Sequence, residues 1–324
     1  MTTWYENHAF TAQPIGHNDA LPALAVVALD NWSLITASGE DTVKYLQGQI
    51  TCDVTALAET ESTMAAHCDA KGKMWAAFRL FHHNGGLAFA MPISQAETEL
   101  NEIRKYAIFS KVTFAISDEV LLGLTGGEAN HAVASLFGEG GNVRRGEFGS
   151  AVLTGENQWL LALTPEGADK VIEALNTAVL ADHTLWDLYD IKAATPRIET
   201  TTSAEHIPQA LNLQAAGGIS FSKGCYTGQE TVARAKYRGM NKRAMYLLAG
   251  ESSEAPKAGD TLERQVGESW RNGGSVIAGY RFADGQALAL AVLPNNLEEE
   301  TAFRLEGQAS VWQRLPLPYS LDDE

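Results

Sequence analysis

The sequence predicts an α+β fold: two α+β units of ferredoxin-like character followed by a small β-barrel. Three observations predict it. The amino-terminal three quarters runs through strands and capped helices in the order strand, helix, strand, strand, helix. No G-x-G-x-x-G follows a strand and no G-x-x-x-x-G-K-[ST] is present, so neither a dinucleotide-binding sheet nor a P-loop is indicated. From Arg243 onward the pattern changes to short apolar segments separated by glycine-rich and acidic turns, as in a barrel of about 80 residues. A length of 324 residues exceeds what one core usually organises, and the change near residue 243 divides the chain into 1–243 and 244–324.

Taken in order, residues 24–37 read as two strands around an Asp30-Asn31 turn. Ser38 and Asp41 then make a capping pair for a helix carrying Val43, Leu46 and Ile50. Residues 63–68 and 75–81 are strands joined by a turn at 69–73, with Leu87 to Met91 as the next strand. Ser94 and Glu97 open a second capped helix, whose Ala96, Leu100, Ile103 and Ala107 form one apolar stripe. A strand follows around 111–115. The second run is strand 120–124, helix 128–137, a glycine-rich break at 138–141, strands 151–154 and 158–163, and helix 166–179. Barrel strands are expected at 244–248, 275–282, 288–293 and 302–305, and the acidic end, Asp322 to Glu324, reads as a frayed tail.

With 45% hydrophobic and 20% charged residues the chain has the composition of a folded globular protein, which excludes wholesale disorder. The first twenty residues lack the basic start and apolar core of a secretion signal, and the apolar run Leu21 to Leu29 is too short to span a bilayer. Cys52, Cys68 and Cys225 are odd in number and widely spaced, which argues against a disulfide framework and a zinc site and for a cytoplasmic location. A net charge of −16 disfavours nonspecific attraction to nucleic acid, so direct tRNA binding is not expected. Against that background, Lys223 to Arg243 holds six basic residues and the single acid Glu230, either a solvated face or a site for a carboxylate-bearing or polyanionic ligand.

Candidate chemistry centres on Lys223-Gly224-Cys225-Tyr226-Thr227-Gly228-Gln229-Glu230. Thr227 and Glu230 have the spacing of a capping box, which puts Cys225 two residues before a helix N-cap. There the helix dipole and the Lys223 ammonium would both favour a thiolate. The alternative is a cysteine packed as a small hydrophobe. Trp32, at the start of a strand, and Trp186 offer flat surfaces on which a pterin, a flavin or a base could stack, or else simply fill the core. His67 and Cys68 are neighbours in a strand and point to opposite faces, so they make a poor ligand pair. Lys71 and Lys73 flank Gly72 in a basic turn suited to an anion, although a solvated hairpin tip is the preferred reading. No nucleophile elbow occurs, the eight histidines are scattered, and no Ser-His-acid arrangement is legible.

The octet resembles the signature of the YgfZ family of folate-binding, tRNA-modification proteins. Tyr45 to Thr51, Cys68 to Met74, Ile207 to Gln209, Gly217 to Ser220 and Leu317 to Ser320 are also similar to bacterial members, so the likeness spans nearly the whole chain. The resemblance implies the fold of the glycine-cleavage aminomethyltransferase: two interleaved α+β domains and a carboxy-terminal barrel around a central folate-binding opening. It implies tetrahydrofolate or a derivative as ligand, Trp32 and Trp186 as folate-binding tryptophans, and Cys225 as the functional thiol with Lys223 beside it. Tyr226, Gln229, Glu230, Arg234 and Arg238 are further candidates for contact with the ligand, the basic residues meeting its glutamate tail. It also implies a role in supporting iron–sulfur enzymes that thiomethylate tRNA, which would be the partners. Two mechanisms stay open, one-carbon transfer involving Cys225 and folate-dependent assistance without turnover. A true aminomethyltransferase is the alternative, disfavoured by the cysteine octet and the lack of an acidic residue that aligns with the catalytic one.

Overall fold

The computed structural model describes residues 2–321; the acidic tail from Asp322 lies outside them. After a short helix α1 (Thr2–Glu6), strand β1 (Ala25–Ala28) is buried along its whole length, because it is an inner strand with packed side chains on both faces. Then come β2 (Trp32–Ser38), α2 (Thr42–Gln47), β3 (Ser62–Cys68), β4 (Met74–His83), β5 (Gly86–Pro92), α3 (Ile93–Arg104) and β6 (Thr113–Ile116). They build one sheet, ordered β3-β4-β5-β2-β6. Next are β7 (Val120–Thr125), α4 (Ala129–Phe137), β8 (Val143–Gly146), β9 (Gly149–Gly155), β10 (Gln158–Leu163), α5 (Pro165–Ala174) and β11 (Val179–Ala181). With β1 they form a second sheet, ordered β11-β1-β7-β10-β9-β8. Because β1 belongs to the second sheet while β2 to β6 form the first, the two units are interleaved.

Helices α6 (His183–Lys192) and α7 (Gln229–Tyr237) lie in the connection to the last sheet, which contains β12 (Arg243–Glu251), β13 (Thr261–Val266), β14 (Ser269–Arg281), β15 (Gln286–Pro294), β16 (Phe303–Leu305) and β17 (Gln313–Leu315). Its order is β16-β13-β14-β15-β12-β17, and paired amide–carbonyl bonds between Phe303 and Trp312, 2.7 and 3.0 Å, close the two ends into a barrel. One apolar core runs through all three parts, joining Val27, Met64, Trp186, Ile277 and Leu290. Among the described residues no helix is long and apolar enough to cross a membrane.

Several expectations are corrected. Neither Ser38 nor Asp41 caps α2; the Asp41 carboxylate instead accepts from the Lys111 amide at 2.8 Å. Helix α3 begins after Pro92 without a side-chain cap, since the Ser94 hydroxyl donates to Glu199 at 3.3 Å. Its stripe stops at Ile103, and Ala107 opens a separate 3-10 turn. Helix α5 ends at Ala174, five residues early, because Val179–Ala181 is drawn into parallel pairing with β1. Strands β8, β13 and β17 and helix α6 were not anticipated: β13 buries only Leu262, so its polar sequence carries no strand alternation.

Candidate functional site

Helix α6 places the first functional side chain. Its N-cap Asp182 accepts from the Thr184 amide at 3.0 Å, and Leu185, Trp186, Leu188 and Ile191 turn inward at helical spacing. Trp186 is about 1% exposed and fits because the facing residue on β7 is Gly123, where a Cβ would come within 2.5 Å of the indole. Trp32, half-buried at the head of β2, meets it edge to face, with ring centroids 6.3 Å apart and planes at 79°. The Arg197 guanidinium lies 5.6 Å from the Trp32 ring centroid. It is held by Asp187 at 2.7 Å and Asp190 at 2.9 Å, and Gln158 donates to Asp190 at 2.8 Å. Burial pushes the Asp190 carboxyl up against the pull of Arg197. Burial also opposes the charge on Arg197, but Asp187 and Asp190 outweigh it and raise its pKa.

Both tryptophans line one cleft with Met64, Arg79, Asp190 and Arg197. Three buried donors on residues lining this cleft, Trp32 Nε1, Trp186 Nε1 and Arg79 Nε, have no acceptor among the described residues. An unmet buried donor costs about 1–3 kcal/mol, so the cleft is chemically set for a ligand that brings acceptors. Burial lowers the Arg79 pKa to about 10. The cleft is closed in this conformation: its free volume of about 20 Å³ holds little more than a water. A ring system larger than a water fits only if the lining moves.

The octet is built differently from its sequence reading. Helix α7 starts at Gln229, and its N-cap is Gly228 in the left-handed region with φ 83°. Thr227 makes no cap; its hydroxyl faces Gln49 Oε1 at 3.5 Å, and Glu230 pairs with Arg234 at 2.6 Å. The capping box therefore does not form, and Cys225 sits three residues before the N-cap. Lys223 is turned away from that role: its Nζ donates to the Ile50 and Cys52 carbonyls at 2.7 and 2.6 Å and lies over the Tyr226 ring at 4.9 Å. Burial lowers its pKa to about 8. Lys223 is thus a buckle between the octet and the segment that follows α2. The three cysteines gather around the octet and all are free: Cys225 is exposed, while burial pushes Cys52 up to about 12 and also raises Cys68.

The structure brings Trp32 and Trp186 together, but the cleft as it stands includes none of Lys223, Cys225, Tyr226, Gln229, Glu230, Arg234 and Arg238. Met64 in the cleft and Cys68 beside Gly228 share one face of β3, four residues apart, so the two features lie about 13 Å apart along that strand. Tyr226 is buried, and Gln229 Nε2 reaches back to the Gly224 carbonyl at 3.4 Å. Arg234 is engaged with Glu230, and Arg238 is exposed at the end of α7. Sequence reasoning missed Arg79, Asp190 and Arg197, which carry no local motif. It also missed a Ser150–His83–Glu119 chain with 2.9 Å contacts. Ser150 is 1% exposed, so the chain joins the two sheets and offers no accessible nucleophile. His67 pairs with the buried Glu99 at 3.0 Å while Cys68 packs on the other face, as alternation requires. Among the described residues no group of three or more His, Cys, Asp and Glu side chains is placed to hold a metal ion.

Residues 241–308 match the family described as "YgfZ, beta-barrel domain". Over 97% of its length the chain is 53% identical to the tRNA-modifying protein YgfZ of Aliivibrio fischeri, covering 98% of that protein. It is equally 53% identical to the tRNA-modifying protein YgfZ of Photobacterium profundum, over 97% of each chain. The chain belongs to the YgfZ family. Its fold is that of the glycine cleavage system aminomethyltransferase T from Bartonella henselae, with a TM-score of 0.71 over 92% of this chain and 86% of that one. At 15% identity the likeness is one of fold. YgfZ-type sequence and an aminomethyltransferase-type frame thus coincide in an α+β protein with a carboxy-terminal barrel.

Proposed function

We propose that this protein binds a reduced folate at the Trp32–Trp186 cleft and acts in tRNA modification by supporting iron–sulfur enzymes. The observation that carries the folate part is the pair of edge-to-face indoles with three unmatched buried donors, Trp32 Nε1, Trp186 Nε1 and Arg79 Nε. A pterin has a planar ring to stack and ring nitrogens and a carbonyl to accept, and Asp190 in the cleft lining is an acceptor for its amino group. The tRNA part rests on the name carried by relatives that match over nearly full length. Folate when bound supplies a one-carbon unit or a redox-active pterin. The chain's own residues stack it, orient it through Arg197 and Asp190, and exclude water from it. The exposed Cys225 thiol on the Lys223-buckled loop is the group available to a partner enzyme.

Tetrahydrofolate titration followed by tryptophan fluorescence tests the ligand site, comparing the parent with Trp32→Ala, Trp186→Phe and Cys225→Ala. Quenching should weaken in both tryptophan variants and persist in Cys225→Ala. Undiminished quenching in both tryptophan variants would place the ligand elsewhere. Loss of tRNA thiomethylation in cells carrying Cys225→Ala, with folate binding intact, supports the thiol's part. Full activity there would remove it.

A further inference from the structure

We propose that the groove between the β3–β4 hairpin and the barrel, with the turn leading out of α7, binds single-stranded RNA. The inference rests on the tRNA-modification part of the reading above and not on its folate part. The groove encloses about 530 Å³ and is lined by Lys73, His206, Met240, Lys242, Arg243 and Asn272 among others. Neither Lys242 nor Arg243 has an ion-pair partner among the described residues, although the chain carries 40 acids against 24 basic residues. Lys73 spends one hydrogen on the Glu205 carbonyl at 2.7 Å and keeps two. Glu205 is the one acid in the lining, and its carboxylate stands 3.7 Å from His206 Nε2, beyond hydrogen-bond reach. His206 Nε2 is therefore a buried polar atom without a hydrogen-bond partner among the described residues. Three cations converge here, and each gains from an arriving phosphate.

The net charge of −16 does not forbid this. At physiological salt the screening length is about 8 Å, so a phosphate in the groove feels its lining more than the distant acids. What favours a nucleic-acid strand over a small phosphorylated molecule is the adjoining surface. Tyr237 is 67% exposed at the end of α7, its ring 6.0 Å from the Lys236 ammonium, with Arg238 next to it. An exposed ring among cations is a stacking platform for an unpaired base, and a metabolite held in the groove would leave it unused. Tyr237 lies three positions before Met240 in the lining, at most about 11 Å of chain, so base and phosphate of neighbouring nucleotides reach both. A duplex hides its base faces and gains nothing from Tyr237.

The test is fluorescence anisotropy with a labelled single-stranded RNA of about 12 nucleotides, titrated across salt concentrations. Replacing Lys242 and Arg243 together by Gln should weaken binding about 10-fold or more and reduce the slope of log affinity on log salt by about 1.4. Tyr237→Ala should weaken it about 5-fold or more with the slope unchanged. Thermal melts and the folate quench should match the parent in both variants, so loss of folate binding alone would strike only the folate reading. The proposal is overturned if the parent fails to bind at low salt, if neither variant changes binding, or if a duplex binds equally well and is indifferent to Tyr237→Ala.

Discussion

Gly72 and Gly228 meet backbone to backbone, locking the β3–β4 hairpin against the start of α7. A Cβ on Gly228 would lie 2.9 Å from the Gly72 Cα and 2.7 Å from the Asp69 carbonyl oxygen, and one on Gly72 would lie 2.7 Å from the Thr231 Cβ. Both residues have positive φ, 77° and 83°. Gly228→Ala should therefore cost on the order of 2 kcal/mol or more, from the left-handed backbone and from the displaced hairpin. Denaturant unfolding measures it. A cost within experimental error would mean that the hairpin and α7 separate freely.

Lys223 acts as a buckle, and its removal is a stability experiment. Lys223→Met leaves the Ile50 and Cys52 carbonyls without their donor, at about 1–3 kcal/mol for a buried unmet group. The same change removes a partly buried ammonium, which offsets some of that cost. The unfolding midpoint should fall while the alkylation rate of Cys225 at fixed pH stays at the parent value. A lost alkylation rate with unchanged stability would restore Lys223 as an activator of the thiol.

Most of the frame was legible because long elements have one dominant periodicity. Strands β1, β7 and β10 are buried throughout and apolar except for Thr125 at the end of β7 and Gln158 at the start of β10, and α4 is bounded where its pattern ends. What misled were short polar side chains with tertiary work: Asp41, Ser94 and Thr227 have cap spacing, but each is engaged by a segment distant in sequence. The site was half legible. Trp32 and Trp186 stand out as residues, yet only the interleaving of β1 and β2 between the sheets brings their rings together. Arg79 and Arg197 matter through burial, which no local pattern encodes.

His206 supplies a pH signature. Burial, then Lys73 and Arg243, lower its pKa from 6.5 to about 4. The unfolded chain therefore holds the extra proton between those values, so the His206 contribution is complete above about pH 6.5 and is lost as pH falls toward 4, on the order of 3 kcal/mol at most. His206→Gln should flatten that part of the stability–pH curve, checked by chemical denaturation from pH 7 to 4. A curve parallel to the parent's would show that His206 takes up its proton at the same pH in the folded and unfolded chains.

Gly123 controls the cleft without touching a ligand. Gly123→Ala would bring a methyl within 2.5 Å of the Trp186 ring and 3.3 Å of the Val27 Cβ, so the indole must shift toward Trp32 or the strand must yield. Overpacking of this kind costs about 1–3 kcal/mol. Folate affinity should fall along with stability, and the Cys225 alkylation rate should not change. Calorimetric titration with tetrahydrofolate reads the first effect, and unchanged affinity would argue against a site that depends on the Trp186 position.

Arg197 separates the electrostatics of the cleft from its packing. Arg197→Met keeps much of the side chain's bulk beside Trp32 but leaves Asp190 buried with only Gln158 as partner. Breaking a buried pair in this way costs about 3–5 kcal/mol. With the guanidinium gone, burial raises the Asp190 carboxyl unopposed, so the folded variant takes up a proton that the unfolded chain, titrating near 4, has already released. The deficit should therefore be largest at neutral pH and shrink as pH falls toward 5. Adding Asp190→Asn to Arg197→Met removes the stranded charge and should recover most of the stability at pH 7. Because Arg197 also faces the Trp32 ring, the double variant should remain weak in folate binding although it folds. A double variant that bound folate like the parent would reduce Arg197 to a structural ion-pair partner and leave stacking by the two indoles as the whole of the site.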